Sequence, residues 1–198
     1  MNSTLSELLE ELEAFGHSND ESVHDRPRRM LNITRDTGEL LSVLMRATDA
    51  RRVLEIGTSN GYSTIWLADA ARATGGLVTT VELSRFKLEM AAKNFARSGL
   101  AEYIAQIEGE AGAMLKGAAD AAFDMVFLDS ERSEYVGWWP DLKRVLRPGG
   151  LLVVDNATSH ASEMAPFIGT VQADGDFVTS LVPVGNGEFL ATKERCSR

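Results

Sequence analysis

The chain predicts an α/β fold: a mostly parallel sheet with helices on both faces and an antiparallel hairpin at its C-terminal end. Three observations predict it. Five short apolar runs each end in an acid: Arg52 to Glu55, Leu77 to Glu82, Tyr103 to Glu108, Phe123 to Asp129 and Leu151 to Asp155. Their terminal acids stand 21 to 27 residues apart, which fits one strand plus a crossover helix or helical turn. Gly185-Asn186-Gly187 then separates two further runs, Phe177 to Val184 and Glu188 to Lys193. Asn-Gly between apolar runs is a strong hairpin signal. Parallel strands end at one edge, so the five carboxylates are expected on one rim. Ligands of open α/β sheets bind outside that rim.

The elements follow in order. Thr4 and Glu7 have capping-box spacing ahead of Leu8, Leu9 and Leu12, predicting a first helix to about Phe15. Residues 16–35 are polar and carry Pro27 and the basic cluster Arg26, Arg28, Arg29. They read as a surface connection, a lid or a dimer contact. Asp36 is expected to cap a helix bearing Leu40, Leu41, Val43, Leu44 and Met45. Helices are then expected at about 61–73, 84–98, 134–145 and 160–172. The stretch 111–119 is short and rich in Ala and Gly, and Pro148-Gly149-Gly150 turns into the fifth strand. Residues 1–198 read as one domain, with 1–35 as its N-terminal helix and lid segment.

Composition bounds the partners. With 198 residues, 44% hydrophobic and 25% charged, the chain suits one sizeable core. A formal net charge of -9 argues against nucleic acid. The single cysteine, Cys196, permits no internal disulfide and fits a reducing, cytoplasmic setting. No signal peptide or membrane span is read. A small-molecule ligand is the expected partner, and a homodimer stays open.

The loop after the first strand reads Gly57-Thr58-Ser59-Asn60-Gly61-Tyr62-Ser63. Two glycines four apart permit a sharp turn and close backbone approach to a ligand. The spacing is not the dinucleotide fingerprint, which disfavours a nicotinamide dehydrogenase. A tight turn without a ligand is the alternative. Glu82 ends the second strand, where an acid can accept both hydroxyls of a ribose. Loop and acid together point to a nucleoside.

Val53 through Ser63 resembles the cofactor loop of class I S-adenosylmethionine-dependent methyltransferases. More narrowly, the chain is similar to the small-molecule O-methyltransferases related to catechol and caffeoyl-CoA O-methyltransferase. The resemblance runs from about Leu31 to Lys193. It is carried by the loop, Thr80-Val81-Glu82, the Asp129 segment, Arg147-Pro148-Gly149-Gly150, Asp155-Asn156 and Val182 to Gly187. It implies a Rossmann-like methyltransferase fold of seven strands, one antiparallel. It implies Glu55 and Gly57 near the methionine moiety of S-adenosylmethionine, with Thr58, Gly61, Tyr62 and Ser63 in the same loop. It implies Glu82 on the ribose, Gly109, Glu110 and Ala111 along the adenine, and Asn32 and Ile33 closing over the cofactor.

Asp129, Asp155 and Asn156 form an all-oxygen set at two neighbouring strand ends. Such donors suit Mg²⁺, Mn²⁺ or Ca²⁺ and not zinc. The resemblance implies a divalent cation there, completed by water and the acceptor's hydroxyls. The alternative is that the aspartates cap helices or touch the cofactor amine, Asp129 above all, and that Asn156 shapes a turn.

The chain departs from these relatives at one place. Those acting on catechols carry a lysine, the proposed general base, three residues after the first metal aspartate; here Arg132 stands there, and Tyr135 matches the family's tyrosine. A guanidinium stays protonated and cannot be a base. It can orient an anionic substrate, stabilise an oxyanion, or simply face water. His160 is a candidate base, or a helix-entry histidine. Trp138, Trp139, Met90 and Met114 read as packing. The reading is methyl transfer to an oxygen of a phenolic or catechol-like molecule with a divalent cation. Asp129, Arg132 and His160 are its candidate catalytic residues. The alternatives are a metal-independent methyltransferase acting on nitrogen, sugar or carboxylate, and a cofactor-binding protein without activity.

Overall fold

The computed structural model describes residues 3–195; the Cys196 reading lies outside them. Seven strands form one sheet: β1 (Arg52–Ile56), β2 (Leu77–Glu82), β3 (Ile104–Glu108), β4 (Phe123–Leu128), β5 (Leu146–Val154), β6 (Phe177–Val182) and β7 (Glu188–Lys193). Their order is β3-β2-β1-β4-β5-β7-β6. The first five pair in parallel, and β7 pairs antiparallel to both β5 and β6. The expected Rossmann-like arrangement is therefore present. The chain order reverses between β1 and β4, the switch point at which such sheets open a crevice.

Among the described residues seven α-helices accompany the strands: α1 (Ser3–Ser22), α2 (Arg35–Ala47), α3 (Tyr62–Thr74), α4 (Arg85–Ser98), α5 (Ala111–Gly117), α6 (Tyr135–Val145) and α7 (Ala161–Gln172). Alternation within the central strands sorts the core onto two faces. Val53, Met125, Phe127 and Val153 pack with Leu9, Leu41, Met45, Ile65, Trp66 and Phe95 from α1 to α4. Leu54, Ile56, Val126, Leu128 and Leu152 pack with Leu115, Trp139, Leu142, Phe167 and Val171 from α5 to α7. Ten consecutive residues of α3, from Tyr62 to Ala71, are buried. A helix apolar nearly all round belongs inside, and α2 covers it.

Three local expectations are corrected. The first helix does not stop near Phe15 but continues to Ser22, and Thr4 lies inside its first turn rather than at its cap. Its polar second half is retained because Asn19 and Asp20 work at its end: Asp20 accepts the N–H groups of Met30 at 2.7 Å and Leu31 at 2.8 Å. The cap of α2 is Thr34, which accepts from Thr37 N–H, and not Asp36, which lies in the first turn. Asp36 instead accepts Gly185 N–H at 3.0 Å, tying α2 to the β6–β7 turn.

Candidate active site

The strand ends do not put all five acids in one environment. Ile56 extends β1 by one residue and pairs with Val81 and Leu128, so Glu55 lies one step inside the rim. Glu55 is fully buried, whereas Glu108 is exposed on the edge strand. Glu82, Asp129 and Asp155 line a cavity of about 1180 Å³, ample for a nucleoside with a second small molecule.

Gly57 opens the loop at φ 110°, and a Cβ there would lie 2.0 Å from the Asp129 carbonyl oxygen. Only glycine lets β1 and β4 close on each other at this rim. Gly61 enters α3 at φ 88°, where a Cβ would strike Phe95. Glu82 clasps the loop from the neighbouring strand. Its Oε2 accepts Ser59 N–H at 2.9 Å, and its Oε1 accepts Ser84 N–H at 2.9 Å. Each oxygen keeps a lone pair for a further donor.

Glu55 serves the loop from beneath. It accepts from Ser63 Oγ at 2.6 Å, from Thr80 Oγ1 at 2.6 Å and from Thr64 Oγ1. Burial pushes its carboxyl up to about 7, against the lowering effect of these hydroxyls. Thr58 is also buried and meets Thr80 at 2.5 Å through their hydroxyls. Tyr62 packs edge-on against Trp66, and its burial pushes the phenol up to about 12. The structure thus does not bring Glu55, Thr58, Gly61, Tyr62 and Ser63 to the cavity wall. They hold the loop whose Gly57 and Ser59 form that wall. Asn32, Gly109, Glu110 and Ala111 line it, whereas Ile33 is turned into the core.

Across the cavity stand Asp129, Asp155 and Asn156. The Asn156 amide nitrogen donates to Asp155 Oδ2 at 2.9 Å and Asp129 Oδ1 at 3.3 Å. Asn156 adopts φ 67°, a left-handed conformation that asparagine tolerates better than most residues. Burial raises the carboxyls of both Asp129 and Asp155, and Asp155 raises Asp129 further. Two acids that repel each other in a dry site favour a cation between them. The oxygen donor set fits a hard divalent ion in chemistry. Among the described residues, no group of three or more His, Cys, Asp or Glu side chains is arranged to hold one. The fit therefore depends on Asn156 turning its amide oxygen inward; that oxygen now accepts from Ser159 Oγ at 3.2 Å.

Arg132 and His160 line the same cavity. Arg132 Nε donates to Glu163 Oε2 at 2.9 Å. His160 precedes α7 and meets Ser159 Oγ through Nδ1 at 2.9 Å. The Tyr135 hydroxyl accepts Ser130 N–H at 2.7 Å and fixes the turn after Asp129.

Several wall residues escaped the sequence reading. Trp139 is core, and Trp138 packs against the same core while also forming cavity wall beside Gly112. Helical spacing sorts faces and could have separated these neighbours, yet it does not say which face meets a cavity. Met30 and Leu31 line the cavity from the segment before α2, held there by Ser59 Oγ donating to Met30 O at 2.6 Å. Lys87 lines it as well, and burial lowers its ammonium. Glu188 is fully buried close to Asp155; burial and that neighbour push its carboxyl up to about 9.

Comparison with known proteins agrees with this architecture. A family model described as O-methyltransferase matches residues 2–194. The catechol O-methyltransferase of Mycobacterium tuberculosis (strain ATCC 25618 / H37Rv) is 39% identical over 124 residues, 63% of this chain and 56% of that enzyme. The chain therefore spans little more than half of that relative's length. The O-methyltransferase TomG from Streptomyces achromogenes, involved in tomaymycin synthesis and solved in complex with SAM, is 28% identical; the match covers 98% of this chain and 91% of that one, with TM-score 0.77. The SAH-bound Podospora anserina methyltransferase PaMTH1 is 19% identical over 98% of this chain and 89% of its own, with TM-score 0.80, a likeness of fold. With nearly its whole length matched by the family model and its fold like that of these structures, the chain belongs to the O-methyltransferase family.

Proposed function

We propose that the chain transfers a methyl group from S-adenosylmethionine to a hydroxyl oxygen of a small, phenolic or catechol-like molecule. The observation that carries this reading is the pairing of two unlike acid sites in one cavity. Glu82 stands at one side, with each oxygen already oriented by a backbone N–H. Asp129, Asp155 and Asn156 stand at the other. The first suits a ribose, the second the reacting oxygen. When bound, S-adenosylmethionine would supply an electrophilic methyl: the acceptor oxygen would form the new O–C bond as the sulfonium C–S bond breaks, leaving S-adenosylhomocysteine.

Glu82 takes the ribose hydroxyls, and Gly109, Glu110 and Ala111 lie along the adenine. Gly57 admits the methionine moiety to the switch point. Glu55, Ser63 and Thr64 keep that loop in shape from below. Asp129, Asp155 and Asn156 would hold a divalent cation, Mg²⁺ or Mn²⁺. When bound, such an ion lowers the acceptor hydroxyl's pKa and fixes its direction. His160, oriented by Ser159, accepts the proton that leaves. The residues Arg26 to Asn32 exclude water on the open side, where alignment and dryness favour the displacement.

The test has two arms. S-adenosylhomocysteine should raise the melting temperature, because a ligand that binds only the native state stabilises it. NAD should not. Labelled methyl should then pass from S-adenosylmethionine to members of a panel of catechols, hydroxycinnamates and phenolic acids. Loss of transfer in EDTA supports the cation; transfer that survives EDTA supports a metal-independent enzyme. Binding without transfer to any member would favour a cofactor-binding protein.

A further inference from the structure

Arg132 is the most deeply buried charge-bearing fork beside the acceptor end of the cavity. Its side chain is 9% exposed. Only Nε is committed, to Glu163. Among the described residues neither terminal nitrogen has a hydrogen-bond partner, so four N–H groups stay open. Neither terminal nitrogen is sealed from the cavity, so both can meet water until an acceptor arrives. Asp129 and Asp155 are near enough to feel its charge, yet neither accepts a hydrogen bond from it. Their oxygens are left for a cation, and the fork is left for an anion. Glu163 is half exposed, so water screens much of what it offers Arg132. Arg26 lines the same cavity but stands 3.9 Å from Glu131, whereas Arg132 keeps its terminal nitrogens uncommitted. A planar fork held at Nε presents its two terminal nitrogens side by side, the geometry that matches a carboxylate.

We infer that Arg132 selects the acceptor, and that the acceptor is a hydroxy-carboxylic acid of benzoate or cinnamate type, its carboxylate on the Arg132 fork and its reacting hydroxyl toward Asp129 and Asp155. This rests on the methyl-transfer reading above. The lysine of related enzymes is thereby exchanged for a specificity-determining group. Neutral catechols lose the contact, and their entry leaves the fork unpaired.

The experiment measures binding rather than turnover. Protein saturated with S-adenosylhomocysteine in Mg²⁺ is titrated calorimetrically with mono- and dihydroxybenzoates and hydroxycinnamates, each beside its methyl ester. At least one acid should bind on the order of ten-fold more tightly than its ester, as expected for a charge-assisted pair in a partly dry site. In Arg132→Met the acid and ester should converge to within about two-fold. Arg132→Lys should keep part of the preference, having the charge without the fork. S-adenosylhomocysteine affinity, measured first in each protein, reports folding, and its absence from the wild type would overturn the methyltransferase reading instead. If Arg132→Met does not fold, the Arg132→Lys comparison decides: a preference as large as the wild type's overturns the fork. Acids and esters that bind the wild type alike, acids that do not bind at all, or a preference that survives in Arg132→Met also overturn the inference.

Discussion

Thr37 Oγ1 donates to Glu188 Oε1 at 2.8 Å, joining two residues 151 positions apart in the chain. Glu188 in turn lies close to Asp155, and the two acids shift each other's titration. The first turn of α2 thus braces the floor of the candidate active site through the start of β7. Glu188→Gln can still accept from Thr37 and donate to Asp155, so it should be nearly neutral in urea unfolding. Glu188→Ala leaves a cavity and takes the acceptor from the Thr37 hydroxyl, and should cost about 2–4 kcal/mol. Equal midpoints for the two variants would show that the brace carries no stability.

Glu82→Ala should weaken S-adenosylhomocysteine binding by about 1–3 kcal/mol, the scale of hydrogen bonds to a charged group. Part of that loss is indirect, because Ser59 N–H loses its acceptor. Glu82→Gln separates the parts, since its amide oxygen can still receive one of the two backbone donors. Isothermal titration reads both. Unchanged affinity in Glu82→Ala would remove the ribose from this acid.

Asp155→Ala should weaken Mn²⁺ binding by more than ten-fold, because even groups behind the ligands cost that much in other sites. Asn156→Asp adds a third carboxylate to the buried set and should tighten the ion. Electron paramagnetic resonance of free Mn²⁺ measures both without any acceptor. No Mn²⁺ uptake by the wild type at millimolar concentration would move the assignment to metal-independent transfer.

The pH dependence of stability should bear the mark of Glu55. Its carboxyl rises from 4.5 to about 7 on folding, so the folded chain holds this proton more tightly than the unfolded one. Stability from this group is then greatest below about pH 4.5 and declines until about pH 7, beyond which the cost is constant. Urea midpoints from pH 5 to 8 should fall in the wild type. They should fall less steeply in Glu55→Gln, which cannot ionise. Some slope should remain, since burial pushes Asp129, Asp155 and Glu188 the same way. Parallel profiles would place the titration elsewhere.

Asp124 should act in the opposite sense at the far end of the sheet. It accepts from the backbone N–H groups of Arg51 and Arg52 and from the side chains of Arg52 and Arg147. These donors hold its carboxyl below the usual range despite burial. Its contribution is present above the unfolded carboxylate's pKa and is lost as pH falls through the lower folded value. Asp124→Asn should therefore destabilise at pH 7 by about 1–3 kcal/mol, and in thermal melts its gap to the wild type should begin to narrow only once pH falls below the ordinary carboxylate range.

The strand alternation, the crossover spacing and the Asn-Gly turn were legible in the sequence because each is a local pattern. Period-two burial and turn chemistry act over a few residues, and the sheet follows from repeating them. The acids Glu82, Asp129 and Asp155 were legible for the same reason: a carboxylate closing a parallel strand has one rim to occupy. Which of those acids faces the ligand was not. One extra paired residue, Ile56, withdraws Glu55 from the cavity, and register between strands belongs to no single segment. Trp138 over Trp139, Met30 and Leu31 pressed onto Ser59, and Glu188 behind Asp155 were decided only by tertiary packing. Each depends on where a distant element comes to rest, 29 residues away for Ser59 and Met30. A residue's own neighbours in sequence carry no record of that placement.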